Sequence, residues 1–277
     1  MAHSTPPSSY PAASKADTRA LRELLRERRA RDDAGAFVCE GPRVVAAALE
    51  HGAELLECFV GVDASAEVQQ VARACAEAGA KVKVLDSGAS ARLGDTVTPQ
   101  PLFATARMRR LGLAALGDMH VGAADITLVA VELGDPGNAG TLVRGAAAAG
   151  VPVVVLGSGS VDAYNPKVVR ASAGAIFGVP VVEGWSAMEA LDALGASGRR
   201  RLGAVAGTGT PYDLVDFTAP SAIVLGSEAH GLPPELDAGI DGWVTIPMAA
   251  PADSLNVAMA ASILCFEAAR QTRGAGR

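Results

Sequence analysis

Aromatic side chains make up only 4% of this chain, and it has four cysteines, four histidines and no net positive charge. Each shortage removes a class of protein. The cysteines, Cys39, Cys58, Cys75 and Cys265, are far apart with no C-x-x-C pair, so neither a disulfide framework nor a zinc site is indicated, and reduced core thiols are expected. His3, His51, His120 and His230 lack metal-ligand spacing, and no Gly-x-Ser-x-Gly elbow offers a nucleophilic serine, so metal-dependent and triad hydrolases drop out. A formal charge of -6 argues against diffuse, sequence-blind nucleic-acid binding, though a local basic patch remains open. No apolar run approaches the roughly 18–20 residues that cross a bilayer, and the first fourteen residues lack the charged start and apolar block of a signal peptide. A soluble, unsecreted, cytoplasmic protein is expected.

What the chain does have is 49% apolar residues and 31 glycines in 277 residues, a balance that favours close helix-on-sheet layers and an α/β fold. Residues 1–14, rich in Pro, Ser and Ala, read as a flexible tail. From Lys15 to Arg31 seven basic residues stand against three acidic ones, an excess of four, while Leu21, Leu24 and Leu25 recur at helical spacing. One amphipathic helix is predicted, its arginines (Arg19, Arg22, Arg26 and Arg29 among them) forming either a solvated face or a contact surface for phosphates. A small alternating α/β unit follows and ends on an apolar strand at Leu102–Ala106. Glycines break the stretch after it, which places a linker at 109–124 between a domain at 15–108 and one at 125–277. From Ile126 apolar strands alternate with helices to the C-terminus, the pattern of a mostly parallel sheet covered on both faces. Ligands of such sheets bind beyond the carboxyl ends of the strands, so the loops after Leu133, Leu156, Ala206, Leu225 and Ile246 are the informative ones.

A dinucleotide fingerprint fails there on spacing: Gly157-x-Gly159 and Gly207-x-Gly209 lack the third glycine, and no Gly-Lys-Ser/Thr marks a P-loop. Three segments remain whose polar residues packing does not explain. DPGNAGTLVRGAAAAG (135–150) sets Asn138 at a predicted helix N-cap and Arg144 amid apolar neighbours. LGSEAHGLPPEL (225–236) sets Glu228 in a glycine-flanked turn directly after a strand. IPMAAPADSLNVAMAASILCFEAARQ (246–271) opens an apolar helix on Ser254 and Asn256.

In order and spacing, these segments resemble the three signature motifs of the SpoU/TrmH branch of the SPOUT superfamily, the knotted RNA ribose 2'-O-methyltransferases. VDAYNPKVVRASAGAIFGVPV (161–181) is similar to the connecting segment of that family. FVCEGPRVV and TVTPQPLFA, near the two ends of the first domain, resemble the L30e-like RNA-binding domain often fused upstream. The resemblance implies a C-terminal trefoil knot, S-adenosylmethionine as methyl donor, no metal, and a homodimer formed through the C-terminal domain. It carries catalytic or positioning roles onto Asn138, Arg144, Glu228, Ser254 and Asn256. Cofactor contacts fall on Gly226, Ile246 and Leu255, with Gly207 and Met248 nearby. Separately, RNA contacts are expected on the arginine face, at Arg19, Arg22, Arg26 and Arg29, and at Arg144 and Arg170. The upstream domain points to ribosomal (23S) RNA, the alternatives being a tRNA 2'-O-methyltransferase, a base methyltransferase or a non-catalytic ribosome-binding protein. The family's arginine is proposed to act as base, but neutralising an arginine at pH 7 costs roughly 7.5–9 kcal/mol, which favours an electrostatic clamp. The apolar helix stripe Val257, Ala258, Ala261, Leu264 and Cys265 fits either the dimer interface or the interior of one subunit.

Overall fold

The computed structural model describes residues 10–93, 100–118, 125–249 and 254–275. Residues 1–9 of the expected tail and 119–124 of the expected linker lie outside them. Two compact units form, Met1–Met108 with Tyr164–Phe177, and Arg109–Ala163 with Gly178–Arg277.

The first unit begins with α1 (Lys15–Arg26) and α2 (Arg28–Ala34), followed by β1 (Ala36–Glu40), α3 (Pro42–Glu50), β2 (Leu55–Gly61), α4 (Ala66–Glu77), β3 (Lys81–Leu85), α5 (Ala89–Leu93) and β4 (Leu102–Arg107). The predicted single helix over Lys15–Arg31 is thus two. Glu27 is extended at the junction, and Arg31, 3% exposed, turns its guanidinium back to the Leu24 carbonyl at 2.7 Å. Ser14 closes a capping box with Asp17, and the Ala13 N–H and Pro11 carbonyl bond Val84, so the end of the expected tail extends the sheet beside β3. The sheet runs β1-β4-β2-β3, with β4 antiparallel to both neighbours and buried from Leu102 to Ala106. Leu21 of α1 meets Val38, Phe59, Leu85 and Phe103 in the core.

The second unit holds α6 (Ala115–Asp118), β5 (Ile126–Ala130), α7 (Pro136–Ala149), β6 (Val153–Leu156), β7 (Val181–Glu183), α10 (Ala187–Ala196), β8 (Arg200–Ala204), β9 (Thr210–Pro211), β10 (Ser221–Leu225), β11 (Gly242–Thr245) and α11 (Val257–Ala275). All seven strands are parallel, in the order β7-β6-β5-β10-β8-β11-β9. Alternate residues point to opposite faces. Val129, Val155 and Val224 therefore face α10 through Ala190, Leu191 and Leu194, while α7 and α11 pack together on the other face. Leu116, inside the expected linker, is fully buried in this core, and its carbonyl accepts from buried Arg199 at 3.0 Å. All four cysteines are free and buried, and burial pushes the Cys265 thiol up to about 12. No described helix is long and apolar enough to cross a membrane.

Between β6 and β7 the chain forms α8 (Pro166–Ala171) and α9 (Ala175–Gly178). The strand–helix alternation assigns this stretch to the second domain, yet Tyr164–Phe177 packs with the first unit. Tyr164 and Phe177 lie 4.6 and 5.9 Å, centroid to centroid, from the Phe37 ring, and Arg170 pairs with the buried Glu40 carboxylate. Gly174, at φ +94°, approaches Ala47 so closely that a Cβ would come within 2.3 Å of the alanine methyl.

Bidentate hydrogen bonds from Arg201, 2.8 Å each, lower the Asp241 carboxyl from an ordinary 3.8 to about 2. Because the folded value is depressed, the stabilisation is complete above pH 3.8 and is lost as pH falls towards 2. The thermal midpoint should therefore decline across that window, and Asp241→Asn should flatten part of the decline. An unchanged profile in the variant would show the pair to be thermodynamically silent.

Candidate functional site

Strands β5 and β10 are neighbours, with Ala130 beside Leu225, so the loops leaving their carboxyl ends emerge together. The first opens α7. Its N-cap is Asp135, whose carboxylate accepts the Asn138 N–H at 2.7 Å, with Pro136 following in the first turn. Asn138 is therefore not the predicted cap, and its side chain is free for a different task. Its Nδ2 donates to Glu228 Oε1 at 2.6 Å, and its Oδ1 accepts from Asn256 Nδ2 at 2.8 Å. Asn256 in turn caps α11, its Oδ1 accepting from the N–H groups of Ala258 and Met259 at 3.0 and 3.3 Å. One amide thus ties together all three polar segments.

Close packing holds the helix starts in register. Gly145 of α7 meets Ser262 of α11 with no room for a side chain, since a Cβ would stand 2.5 Å from the serine hydroxyl. The helices consequently present their N-terminal ends, each carrying partial positive charge, beside the Glu228 carboxylate.

Next to this triad is a cavity of about 440 Å³. Ala204–Ala206, Leu225, Val244 and Ile246 line it from the strand ends, and Leu255, Val257, Ala260 and Leu264 from the third segment. Gly226, Glu228, Met248, Ser254 and Asn256 also border it, so nearly every residue expected at the cofactor or reaction centre is gathered there. The exception on the cofactor side is Gly207, exposed on the loop after β8 and outside the lining. Gly226 is fixed by backbone proximity: Ser227 and Gly231 exchange hydrogen bonds of 3.0 Å, and a Cβ on Gly226 would sit 2.0 Å from the Gly231 carbonyl carbon. Val257, Ala260 and Leu264 follow a helical i, i+3, i+7 spacing, and of these the expected apolar stripe contains Val257 and Leu264 but not Ala260. The stripe itself turns inward, with Val257, Ala258, Ala261, Leu264 and Cys265 all buried within the chain.

Arg144 stands apart. It is exposed on α7, outside the cavity lining, and makes no hydrogen bond or ion pair with a described residue, since Glu228 bonds Asn138 instead. Among the expected RNA-contacting arginines, Arg19 pairs with Glu23 at 3.7 Å and Arg29 with Asp33 at 3.6 Å, while Arg170 serves Glu40. Arg22 is half-buried and Arg26 exposed. Among the described residues no group of three or more His, Cys, Asp or Glu side chains could hold a metal ion.

Residues 125–266 match the model of the SpoU rRNA Methylase family, and residues 18–104 match an MRM3-like substrate binding domain. The chain is 31% identical to the Bacillus subtilis 23S rRNA (guanosine(2553)-2'-O)-methyltransferase RlmP, over 87% of this chain and 92% of that one. Among solved structures it resembles the AdoMet-bound rRNA methyltransferase of Sinorhizobium meliloti (26% identity, 94% and 96% coverage, TM-score 0.81). It is equally like the SpoU methyltransferase AviRb of Streptomyces viridochromogenes in complex with AdoMet (27% identity, 94% and 100% coverage, TM-score 0.81). With its second unit joining the three polar segments through Asn138 beside one cavity, this chain belongs to the SpoU rRNA methylase family.

Proposed function

We propose that this protein transfers a methyl group from S-adenosylmethionine to a ribose 2'-hydroxyl of ribosomal RNA. The observation that carries the reading is the hydrogen-bonded chain Asn256–Asn138–Glu228 at the mouth of an apolar-walled cavity. At about 440 Å³ the cavity is in the range of roughly 300–1,000 Å³ typical of small-molecule sites, and its aliphatic walls with a few polar groups at one side suit an adenosine. S-adenosylmethionine, when bound, supplies an electrophilic methyl on a sulfonium. Gly226, Ile246, Met248 and Leu255 would hold it. Glu228, its orientation fixed by Asn138, places a carboxylate where it favours positive charge and can accept the hydroxyl hydrogen bond. Ser254 and Asn256 offer a hydroxyl and an amide to the ribose. The Arg144 guanidinium, without an ion pair among the described residues, suits an RNA phosphate and the developing alkoxide. It orients the hydroxyl and stabilises charge without itself losing a proton, and the hydroxyl proton would pass to the Glu228 carboxylate that accepts its hydrogen bond. Met259 and Phe266, 59% and 45% exposed on α11, offer an apolar face to a second copy of the chain. The trefoil knot belongs to the same proposal, supported by β11 inserting between the earlier strands β8 and β9.

The decisive experiment incubates the protein with 23S rRNA and methyl-labelled S-adenosylmethionine and then hydrolyses the RNA with alkali. A labelled nucleotide that resists cleavage marks a 2'-O-methyl group. Label on a cleavable nucleotide would indicate a base methyl instead, and no label would leave a binding protein. Asn138→Asp should lower turnover about 10- to 100-fold, because it sets a second carboxylate 2.6 Å from Glu228 and removes the donor. Turnover of this variant should partly recover at lower pH, where a shared proton restores the hydrogen bond, whereas Asn138→Ala should show no such recovery.

A further inference from the structure

In the first unit, α1 ends beside α8, and a cavity of about 210 Å³ is lined by residues that include Leu25, Arg26, Glu40, Leu93, Lys167 and Arg170. Its charges are unevenly matched. Glu40, whose side chain is 1% exposed, is satisfied by Arg170, whereas the Arg26 guanidinium and the Lys167 ammonium are exposed and meet no described partner. Three cations stand against one carboxylate, an excess of two, in a chain whose net charge is -6. Elsewhere on α1 and α2, Arg19 is answered by Glu23, Arg28 by Asp32 and Arg29 by Asp33, while half-buried Arg22 meets no described acid. A groove between those two helices is even edged by Glu23, Glu27 and Asp33. The arginine face expected from the sequence is therefore half neutralised, at Arg19 and Arg29, and Arg26 at its end joins Lys167 in the α1–α8 cavity, where two cations lack described acids.

We propose that this cavity receives a phosphodiester of the substrate RNA, a reading that rests on the chain acting on RNA. Unopposed cations held near one another repel, and an anion between them relieves that repulsion. Arginine presents a fork of donors matched to phosphate oxygens, and lysine adds a point charge. Size favours a polymer over a free metabolite: about 210 Å³ is below the roughly 300–1,000 Å³ of sites that bury a whole small molecule, yet it admits one phosphate presented by a chain. Leu25, Leu93 and Pro166 give the adjoining ribose an apolar wall.

The test uses the full chain and a 23S rRNA transcript, with affinity measured across a salt series. Arg26→Gln with Lys167→Gln should weaken binding several-fold and reduce the slope of log affinity against log salt by about 0.7–0.9, the contribution of one phosphate. Arg26→Lys with Lys167→Arg should retain the wild-type slope. Arg19→Gln with Arg29→Gln should change neither quantity, and calorimetric binding of S-adenosylmethionine should be the same in every variant. Arg170 is left intact, since its guanidinium pairs with the buried Glu40 carboxylate. If the glutamine pair binds the transcript with wild-type affinity and slope, the pocket assignment is overturned while the ribosomal reading stands. Should the wild-type chain bind transfer RNA and not the transcript, the ribosomal reading falls and the same slope comparison on transfer RNA decides the pocket. Binding to neither RNA would overturn both.

Discussion

Gly226→Ala is expected to abolish calorimetric binding of S-adenosylmethionine and to lower the thermal midpoint. The added methyl would lie 2.0 Å from the Gly231 carbonyl carbon and 2.3 Å from the Leu232 nitrogen, distances that only a backbone displacement can relieve. That displacement must open the paired turn at Ser227 and Gly231, and the turn is what holds Glu228 beside Asn138. Pocket and polar chain would thus be lost together. The control is Gly134→Ala, at a position where a Cβ meets nothing within 4 Å. If the Gly226 variant bound the cofactor like wild type, the cavity assigned to S-adenosylmethionine would be the wrong one.

The second large effect concerns a side chain that does not line that cavity. Arg144→Ala should reduce methyl transfer by roughly 10²–10³-fold, the range seen when one preorganised donor to developing charge is removed. Being exposed and without a described partner, Arg144 contributes little to folding, so the thermal midpoint and cofactor affinity should be unchanged. Arg144→Lys separates two roles. A clamp keeps part of its effect with any cation in place, so the lysine variant should outperform alanine at every pH. A proton acceptor would instead make the lysine variant's rate climb steeply with pH, as the ammonium deprotonates. A wild-type rate in the alanine variant would remove Arg144 from the reaction altogether.

Much of this was legible in the residues. The continuous apolar runs marked the second sheet except its two-residue β9 (Thr210–Pro211), and the three polar segments meet beside one cavity because β5, β10 and β11 are parallel strands ending at the same edge. What escaped was set by tertiary contacts. No Gly or Pro interrupts Lys15–Arg31, so the break at Glu27 cannot be seen in a helical period; it accompanies the turn of Arg31 onto the Leu24 carbonyl. The cap of α7 was misplaced by three residues although Asp135-Pro136 already carried the signal, an acceptor followed by a proline preset for the first turn. The neutralisation of Arg19 and Arg29 was in principle readable from their i+4 acids, whereas the meeting of Arg26 with Lys167 joins positions far apart in the chain and was not.

The placement of Tyr164–Phe177 in the first unit bears on the order in which the protein can be made. Phe37 and Glu40 leave the ribosome early, but the rings that cover Phe37 and the guanidinium that neutralises Glu40 follow more than a hundred residues later. At about 5–20 residues per second, the nascent sheet waits on the order of ten seconds with an apolar surface uncovered. The half of the molecule that is translated first is the half that must wait for the other to be under way before it can close.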